Sequence, residues 1–193
     1  YPSVSGTNVT HDFVELFSQV NEKWAIHPDV VPTFAKHYKT GEPIPAELIE
    51  KMQQSAYFNL GFETTELVAA ALLDMKMHLI DDYSNFDCNE YENALRKELG
   101  FIPEIEYRYR STNFAHVFSG GYEVGYYAYL WAEVLDCDAF ELFLEKGVFD
   151  AETAASFKQL VEMGGSKDPM REYRRFRGAD PNPDALLRAR GLI

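Results

Sequence analysis

Apolar residues recur every three or four positions along most of the 193-residue chain, which is the spacing of one face of an α-helix. The most strongly helical pattern spans residues 64–80 and carries apolar side chains at Leu67, Val68, Ala71, Leu72, Met75 and Leu79. This pattern predicts a long helix, and similar patterns before and after it leave little sequence for strands. We therefore predict an all-α fold.

Start and stop residues divide the remaining chain into further predicted helices. The first begins after Thr10 and ends before the break at His27 and Pro28, and another occupies residues 122–146 and ends at Gly147. The other predicted helices begin near Val30, Pro45, Asp87, Asp150, Asp168 and Pro183, and the one that begins near Val30 continues to about Tyr38. Residues 101–110 alternate apolar and polar side chains like a strand, but Pro103 favours an extended loop there.

The charge of the chain argues against nucleic acid as a partner. The sequence contains 31 acidic and 18 basic residues, for a formal net charge of -13 at pH 7. A phosphate backbone would be repelled by this charge unless the basic side chains were tightly clustered.

Cysteine usage and hydropathy indicate the cellular compartment of the protein and whether it associates with a membrane. Cys88 and Cys137 form no CxxC pair, so we expect two free thiols in a reducing compartment rather than a disulfide or thiolate zinc site. No apolar run approaches the roughly 20 residues of a membrane-spanning helix, and no signal-peptide pattern is present. We expect no membrane partner and a cytoplasmic location, with the bacterial periplasm as the alternative. Because the chain starts at Tyr1, we expect it to be truncated upstream.

One face of the first predicted helix is rich in polar side chains that could bind metal. Asp12, Glu15, Gln19 and Glu22 are spaced for one helix face. Such a face is either simply solvated or supplies a carboxylate to a catalytic zinc, which needs three protein ligands and an open position. The five histidines include no HExxH pair, so the other zinc ligands must come from elsewhere. We read His37 and His78 as surface or packing residues.

A second group of candidate residues lies in the segment HVFSGGYEVGYYAYLW, residues 116–131. Tyr122, Tyr126 and Tyr129 are spaced to share a helix face, and the pair Gly120-Gly121 allows a tight turn or close approach to a ligand. An aromatic stripe can be ordinary core, but a buried phenol needs a hydrogen-bond partner that phenylalanine would not.

These phenols could donate to the oxyanion that forms when a zinc-activated water attacks a peptide carbonyl. His116 could donate to the same oxygen or to substrate backbone.

Three segments resemble the thimet oligopeptidase and peptidyl-dipeptidase family of zinc metallopeptidases. The run from Ser5-Gly6-Thr7-Asn8 through DFVE at residues 12–15 is similar to the segment that follows the family's HExxH helix. The segments FAHVFSGGYEVGYYAYLWAEVL, residues 114–135, and FRGADPNPDALLRARGL, residues 176–192, are similar to later parts of the family. The resemblance extends over essentially the whole chain.

The resemblance implies an ellipsoidal, multi-helix catalytic domain with a deep substrate channel, of which residues 1–193 form the C-terminal part. It implies one zinc ion per whole enzyme, with Glu15 as the third zinc ligand and Glu22 in an outer-shell role. It further implies substrate-binding and oxyanion-stabilising roles for His116, Tyr126 and Tyr129. Tyr122 would contribute to a mobile loop or the cleft, and the Gly120-Gly121 pair to substrate binding.

These 193 residues lack the HExxH motif that the complete family pattern contains. Without both zinc histidines and the general-base glutamate, these 193 residues alone should bind zinc weakly at most and should not hydrolyse peptides. Exposure of apolar channel lining should then favour self-association.

Within the family, two stretches are closer to bacterial peptidyl-dipeptidases than to endopeptidases: ALLDM, residues 71–75, and GYYAY, residues 125–129. We therefore expect the parent enzyme to release dipeptides from the C-terminus of short peptides. The alternatives are an endopeptidase of the same family and a helical peptide-binding or interaction module without catalysis. Arg108 and Arg110 are candidates for binding the substrate's C-terminal carboxylate, although both could be ordinary surface residues.

Overall fold

The computed structural model describes residues 1–5 and 7–193, so Gly6 of the motif at residues 5–8 lies outside the described residues. The described residues form these α-helices: α1 His11–Ala25, α2 Val31–Phe34, α3 Ala46–Ser55, α4 Leu60–Met77, α5 Cys88–Glu98, α6 Ala115–Phe118, α7 Ala128–Lys146, α8 Ala151–Glu162, α9 Pro169–Arg177 and α10 Asp184–Ala189. Short 3-10 turns lie at Pro2–Val4, Ser111–Asn113 and Gly164–Ser166. The described residues contain no β-strand, only an isolated bridge between Lys36 and Pro43. The prediction of an all-α fold is confirmed.

None of the described helices combines the length and the apolar character that crossing a membrane requires.

The chain divides into two compact units. The first unit comprises residues 1–58 and 131–193, and the second comprises residues 59–130. The division falls within α7, three residues after its start.

The core of the first unit is built from α1, α7, α8 and α9. The apolar stripe of α1 is buried there as predicted, with Phe13, Leu16 and Val20 almost fully enclosed. Its other buried members are Leu135, Ala139, Phe140, Phe143, Leu160, Met163, Tyr173 and Phe176. The Trp24 ring packs on Phe143 at 4.6 Å between centroids, and its indole N–H donates to the Val148 carbonyl at 3.0 Å.

Charged groups also lie inside this first unit, where they form an ion pair and a hydrogen bond. The Lys23 ammonium lies 2.7 Å from the Asp136 carboxylate and 3.3 Å from the Cys137 sulfur. Burial raises the pKa of Asp136 to about 6 against the lowering effect of Lys23. It also raises the pKa of the Cys137 thiol to about 12. Both cysteines are free, as predicted.

The core of the second unit is formed by α4, α5 and the segment that follows α5. Its buried members are Ala69, Ala70, Leu73, Met77, Leu95, Ile105, Tyr107, Phe114, Val117 and Tyr126. The Asp87 side chain caps α5 by accepting from the Glu90 N–H at 2.9 Å, as its predicted start requires. Residues 101–110 are irregular, which confirms the extended loop.

Two predicted helices are shorter than their patterns indicated. The helix expected to continue to residue 38 ends at Phe34, because the chain then folds back in a turn. In that turn the His37 N–H donates to the Glu42 carbonyl at 2.7 Å, and Gly41 has a φ of 74°. The helix expected from residue 122 begins only at Ala128.

Candidate active site

The predicted site residues of the second unit come together in one aromatic cluster. The imidazole of His116, on α6, lies 6.2 Å from the Tyr122 ring, 5.7 Å from the Tyr126 ring and 6.4 Å from the Tyr129 ring, between centroids. Tyr122 and Tyr129 stack at 5.6 Å with 9° between their planes. Tyr109 extends the cluster, with its ring 5.7 Å from His116. Four residues chosen from the sequence are therefore neighbours in space.

The cluster is not the helix face that the spacing predicted. Tyr122 and Tyr126 lie in the loop before α7, and only Tyr129 is helical. The backbone turns at Val124, whose φ of 58° is incompatible with a right-handed helix. The prediction of a shared helix face is wrong, because the N–H groups of Val124 and Tyr126 donate to a side chain outside this loop.

That acceptor is Asp74, a fully buried residue of α4. One carboxylate oxygen accepts from the Val124 N–H at 3.0 Å, and the other accepts from the Tyr126 N–H at 3.0 Å. The His78 Nδ1 also lies 3.0 Å from the first oxygen, and its ring stacks on Phe118 at 5.4 Å. Asp74 thus fixes the backbone that carries Tyr126.

The sequence did not single out Asp74, although a signal was present. An aspartate in the apolar middle of a long helix must find several partners if it is buried, because an unpaired buried charge is costly. His78, predicted to be a surface or packing residue, does pack on Phe118 and in addition binds this carboxylate.

Both glycines of the Gly120-Gly121 pair are required by the backbone. A Cβ on Gly120 would lie 2.8 Å from the carbonyl oxygen and 2.9 Å from the Cα of His116. Gly121 has a φ of 83°, which favours glycine. The Tyr122 N–H then donates to the His116 carbonyl at 3.1 Å. The pair therefore brings the loop against α6 and sets Tyr122 beside His116, while its role in substrate binding stays a prediction.

The Tyr126 phenol is suited to donate a hydrogen bond. Burial raises its pKa, an effect partly offset by the positive charge of Arg108. A phenol is already protonated at neutral pH, and this shift of the pKa keeps it so over a wider pH range. A neutral, preorganised donor is the kind of group that stabilises a developing oxyanion.

In the first unit, Glu15 and Glu22 lie on α1. Glu15 is half-buried, and the Ser18 hydroxyl donates to its Oε2 at 2.8 Å. Glu22 is exposed and lines a pocket together with Gln19, Lys23, Ile26, Glu133 and Asp136.

The Glu15 carboxylate could serve as one ligand of a zinc site. A glutamate oxygen is a normal zinc ligand, and the Ser18 bond is of the kind that orients such a ligand. Within residues 1–5 and 7–193, no group of three or more His, Cys, Asp and Glu side chains could hold a metal ion. Further ligands would have to come from residues outside this set.

The family model of Peptidase family M3 matches residues 1–192. The chain is 44% identical over 195 residues to the dipeptidyl carboxypeptidase of Escherichia coli (strain K12), covering 100% of the chain and 29% of that protein. It is 36% identical over 192 residues to oligopeptidase A of Salmonella typhimurium, covering 98% of the chain and 28% of that protein. It is 33% identical to saccharolysin of Saccharomyces cerevisiae, covering 96% of the chain and 26% of that protein. The chain thus spans less than a third of the length of these curated relatives.

Proposed function

The chain belongs to peptidase family M3, and on that premise we propose that it is part of a zinc-dependent peptidase that releases dipeptides from the C-terminus of short peptides. The observation that carries the proposal is the cluster of His116, Tyr122, Tyr126 and Tyr129, which brings three neutral phenols and an imidazole together. The dipeptidase mode is supported by 44% identity to a dipeptidyl carboxypeptidase, against 36% to oligopeptidase A over a similar length.

The phenols of Tyr126 and Tyr129 donate hydrogen bonds to the oxyanion that forms on the scissile carbonyl. Their ring centroids lie 5.3 Å apart, so the two side chains are direct neighbours. Each donor lowers the barrier by roughly 3 kcal/mol, because the charge it meets exists only in the transition state. His116, which contacts both rings, donates to the same oxygen or to substrate backbone.

Glu15 contributes one carboxylate ligand to zinc, with Ser18 orienting it and Glu22 acting in the outer shell. When bound, zinc supplies polarisation of the peptide carbonyl and activation of water. The remaining ligands and the general base lie outside these 193 residues, which contain no HExxH. Residues 1–193 alone are therefore inactive under this proposal and belong to a single catalytic domain.

An endopeptidase of the same family is the second candidate, supported by the match to oligopeptidase A. Product analysis separates the two modes. A peptidyl-dipeptidase converts a ten-residue peptide into successive dipeptides from its C-terminus, whereas an endopeptidase produces internal cuts. A non-catalytic binding module would show neither, and its parent sequence would lack HExxH. We place the protein in the cytoplasm, where its two free thiols would stay reduced.

The test uses the full-length parent protein. Glu15→Ala should lose bound zinc and activity together, whereas Tyr129→Phe should keep its zinc and lose turnover. Glu50→Ala, at an exposed position of α3, and Tyr127→Phe, at an exposed position beside the cluster, are the matched controls. Full activity in both test variants would contradict the assigned roles.

A further inference from the structure

We propose that Arg108 binds the free α-carboxylate of the substrate peptide. The inference rests on the proposed function and adds to it the group that recognises the end of the peptide. Arg108 and Arg110 have equal claims in the sequence, but their surroundings differ in the structure.

Arg110 is committed to the protein scaffold. Its Nε lies 3.0 Å from the buried Glu92 carboxylate, and its Nη2 donates to the Asn89 side chain at 2.6 Å. Glu92 in turn accepts from the Ser111 N–H at 2.8 Å and from the Ser111 hydroxyl at 2.6 Å. This network ties α5 to the turn at 111–113, so Arg110 has its counter-ion already.

Arg108 is an exposed cation without a carboxylate partner among the described residues. Three of the five Lys and Arg side chains of the second unit form ion pairs: Lys76 with Glu98, Arg96 with Glu106, and Arg110 with Glu92. Arg108 and Lys97 form no ion pair with any residue in the described part of the chain. In a chain whose net charge is -13, a cation left unpaired is available to an anionic ligand.

The position of Arg108 is what separates it from Lys97. Its guanidinium carbon lies 5.9 Å from the centre of the Tyr109 ring, and that ring is 5.7 Å from His116. Its positive charge also partly offsets the rise that burial causes in the pKa of Tyr126. Lys97 lies instead beside a pocket lined by Asn93, Arg96, Phe101 and Pro103. Arg108 therefore lies next to Tyr109, the ring that extends the cluster proposed to hold the reacting peptide.

A guanidinium and a carboxylate form paired, charge-assisted hydrogen bonds of matching geometry. A peptidase that measures its cut from the end of the chain needs such a contact, because the α-carboxylate is what distinguishes the C-terminus from internal residues. The Tyr109 ring, 5.9 Å from the guanidinium carbon, gives the cation a weak cation–π contact beside the cluster.

The test compares one short peptide in two forms, with a free C-terminal acid and with a C-terminal amide. All its side chains are neutral, so the α-carboxylate is the only anion that the peptide carries. In the full-length parent, Arg108→Gln should raise KM for the acid by roughly 10- to 100-fold and leave the amide nearly unchanged. Arg108→Lys should recover part of the loss, and Lys97→Gln should behave as wild type. Equal losses on acid and amide, or no loss on either, would overturn the assignment.

Calorimetric titration with dialanine and its amide keeps this proposal separate from the proposed function. Dialanine should bind the wild-type parent more tightly than its amide does, and Arg108→Gln should abolish that difference. If the parent binds dialanine in this way but cleaves neither peptide, the peptidase proposal fails and the carboxylate site stands. If dialanine and its amide bind alike, the carboxylate site is wrong even if the parent is active.

Discussion

The carboxylate of Asp74 accepts a hydrogen bond from the backbone N–H of Tyr126 at 3.0 Å, although the two residues are 52 positions apart in the sequence. The same carboxylate accepts the Val124 N–H, so one side chain satisfies two backbone donors of a loop that cannot be helical. Because Asp74 is fully buried on a long helix, this loop is held from a rigid element in addition to its own backbone hydrogen bonds, such as that from the Gly125 N–H to the Tyr122 carbonyl at 2.8 Å.

Asp74→Asn should destabilise the protein and reduce its turnover. The amide keeps one acceptor oxygen but presents an NH2 group to the second backbone donor, so one buried N–H loses its partner. We expect a loss of about 2 kcal/mol in the free energy of unfolding, measured by urea titration, and a fall in kcat of the parent. Asp81→Asn, at an exposed position, is the control and should stay within about 0.5 kcal/mol of wild type. An unchanged urea midpoint and kcat would show that Asp74 does not hold the loop.

Gly120→Ala should disturb the contact between the loop and α6. The new methyl group would meet backbone atoms of His116 at less than 3 Å, and backbone can yield only by moving. We expect a loss of about 1–3 kcal/mol in stability together with reduced activity. The matched change is Gly61→Ala in the first turn of α4, where a Cβ meets nothing within 4 Å. That variant should be neutral or more stable than wild type, since alanine favours helix. Similar effects of the two substitutions would contradict the close approach.

Tyr126→Phe should lower kcat of the parent by about 100-fold and leave KM nearly constant, because the lost donor acts in the transition state. The ring is retained, so the aromatic packing on Phe114, 4.8 Å away, should persist. Steady-state kinetics on a short peptide provide the measurement. Tyr127→Phe removes a hydroxyl from an exposed neighbouring ring and should have no effect. If kcat is the same in all three proteins, Tyr126 is a core residue and not an oxyanion donor.

The two cysteines should differ in their reaction with iodoacetamide. The Cys137 thiol is buried, and burial raises its pKa to about 12, so at pH 8 only about one molecule in ten thousand carries the thiolate. Its alkylation should accelerate as the pH rises toward that value. Cys88 is less buried and should be modified at least about ten times faster in the native protein, as followed by peptide mass spectrometry. The difference should vanish in concentrated urea, and equal native rates would show that Cys137 is not enclosed.

The helix ends show how well local signals can be read. Asp87, Asp150 and Asp168 each cap a helix with a side-chain hydrogen bond to the N–H three residues on. A cap and its helix are neighbours in sequence, so the pattern contains both partners of the interaction. Gly178, with a φ of 83°, ends α9 for an equally local reason.

The buried face of α4 was not predictable in the same way. The predicted apolar stripe includes Met75 and Leu79, yet these are exposed by 41% and 74%. The buried residues are instead Ala69, Ala70, Leu73, Asp74 and Met77. Because α4 is apolar on nearly all sides, its sequence defines a helix without defining which side faces the core.

The sequence by itself determined the all-α class, most helix starts and the choice of His116, Tyr122, Tyr126 and Tyr129 as candidate site residues. These depend on hydrogen bonds and spacings within a few residues, or on a motif that can be read directly. Only the tertiary structure decided that Tyr122 and Tyr126 lie in a loop. The acceptor that competes with the helical hydrogen bonds is Asp74, whose carboxylate binds the N–H groups of residues 50 and 52 positions further along the chain. The tertiary structure likewise distinguished Arg110, which pairs with Glu92, from Arg108. The sequence around the two arginines does not show this difference, because the counter-ion of Arg110 comes from α5.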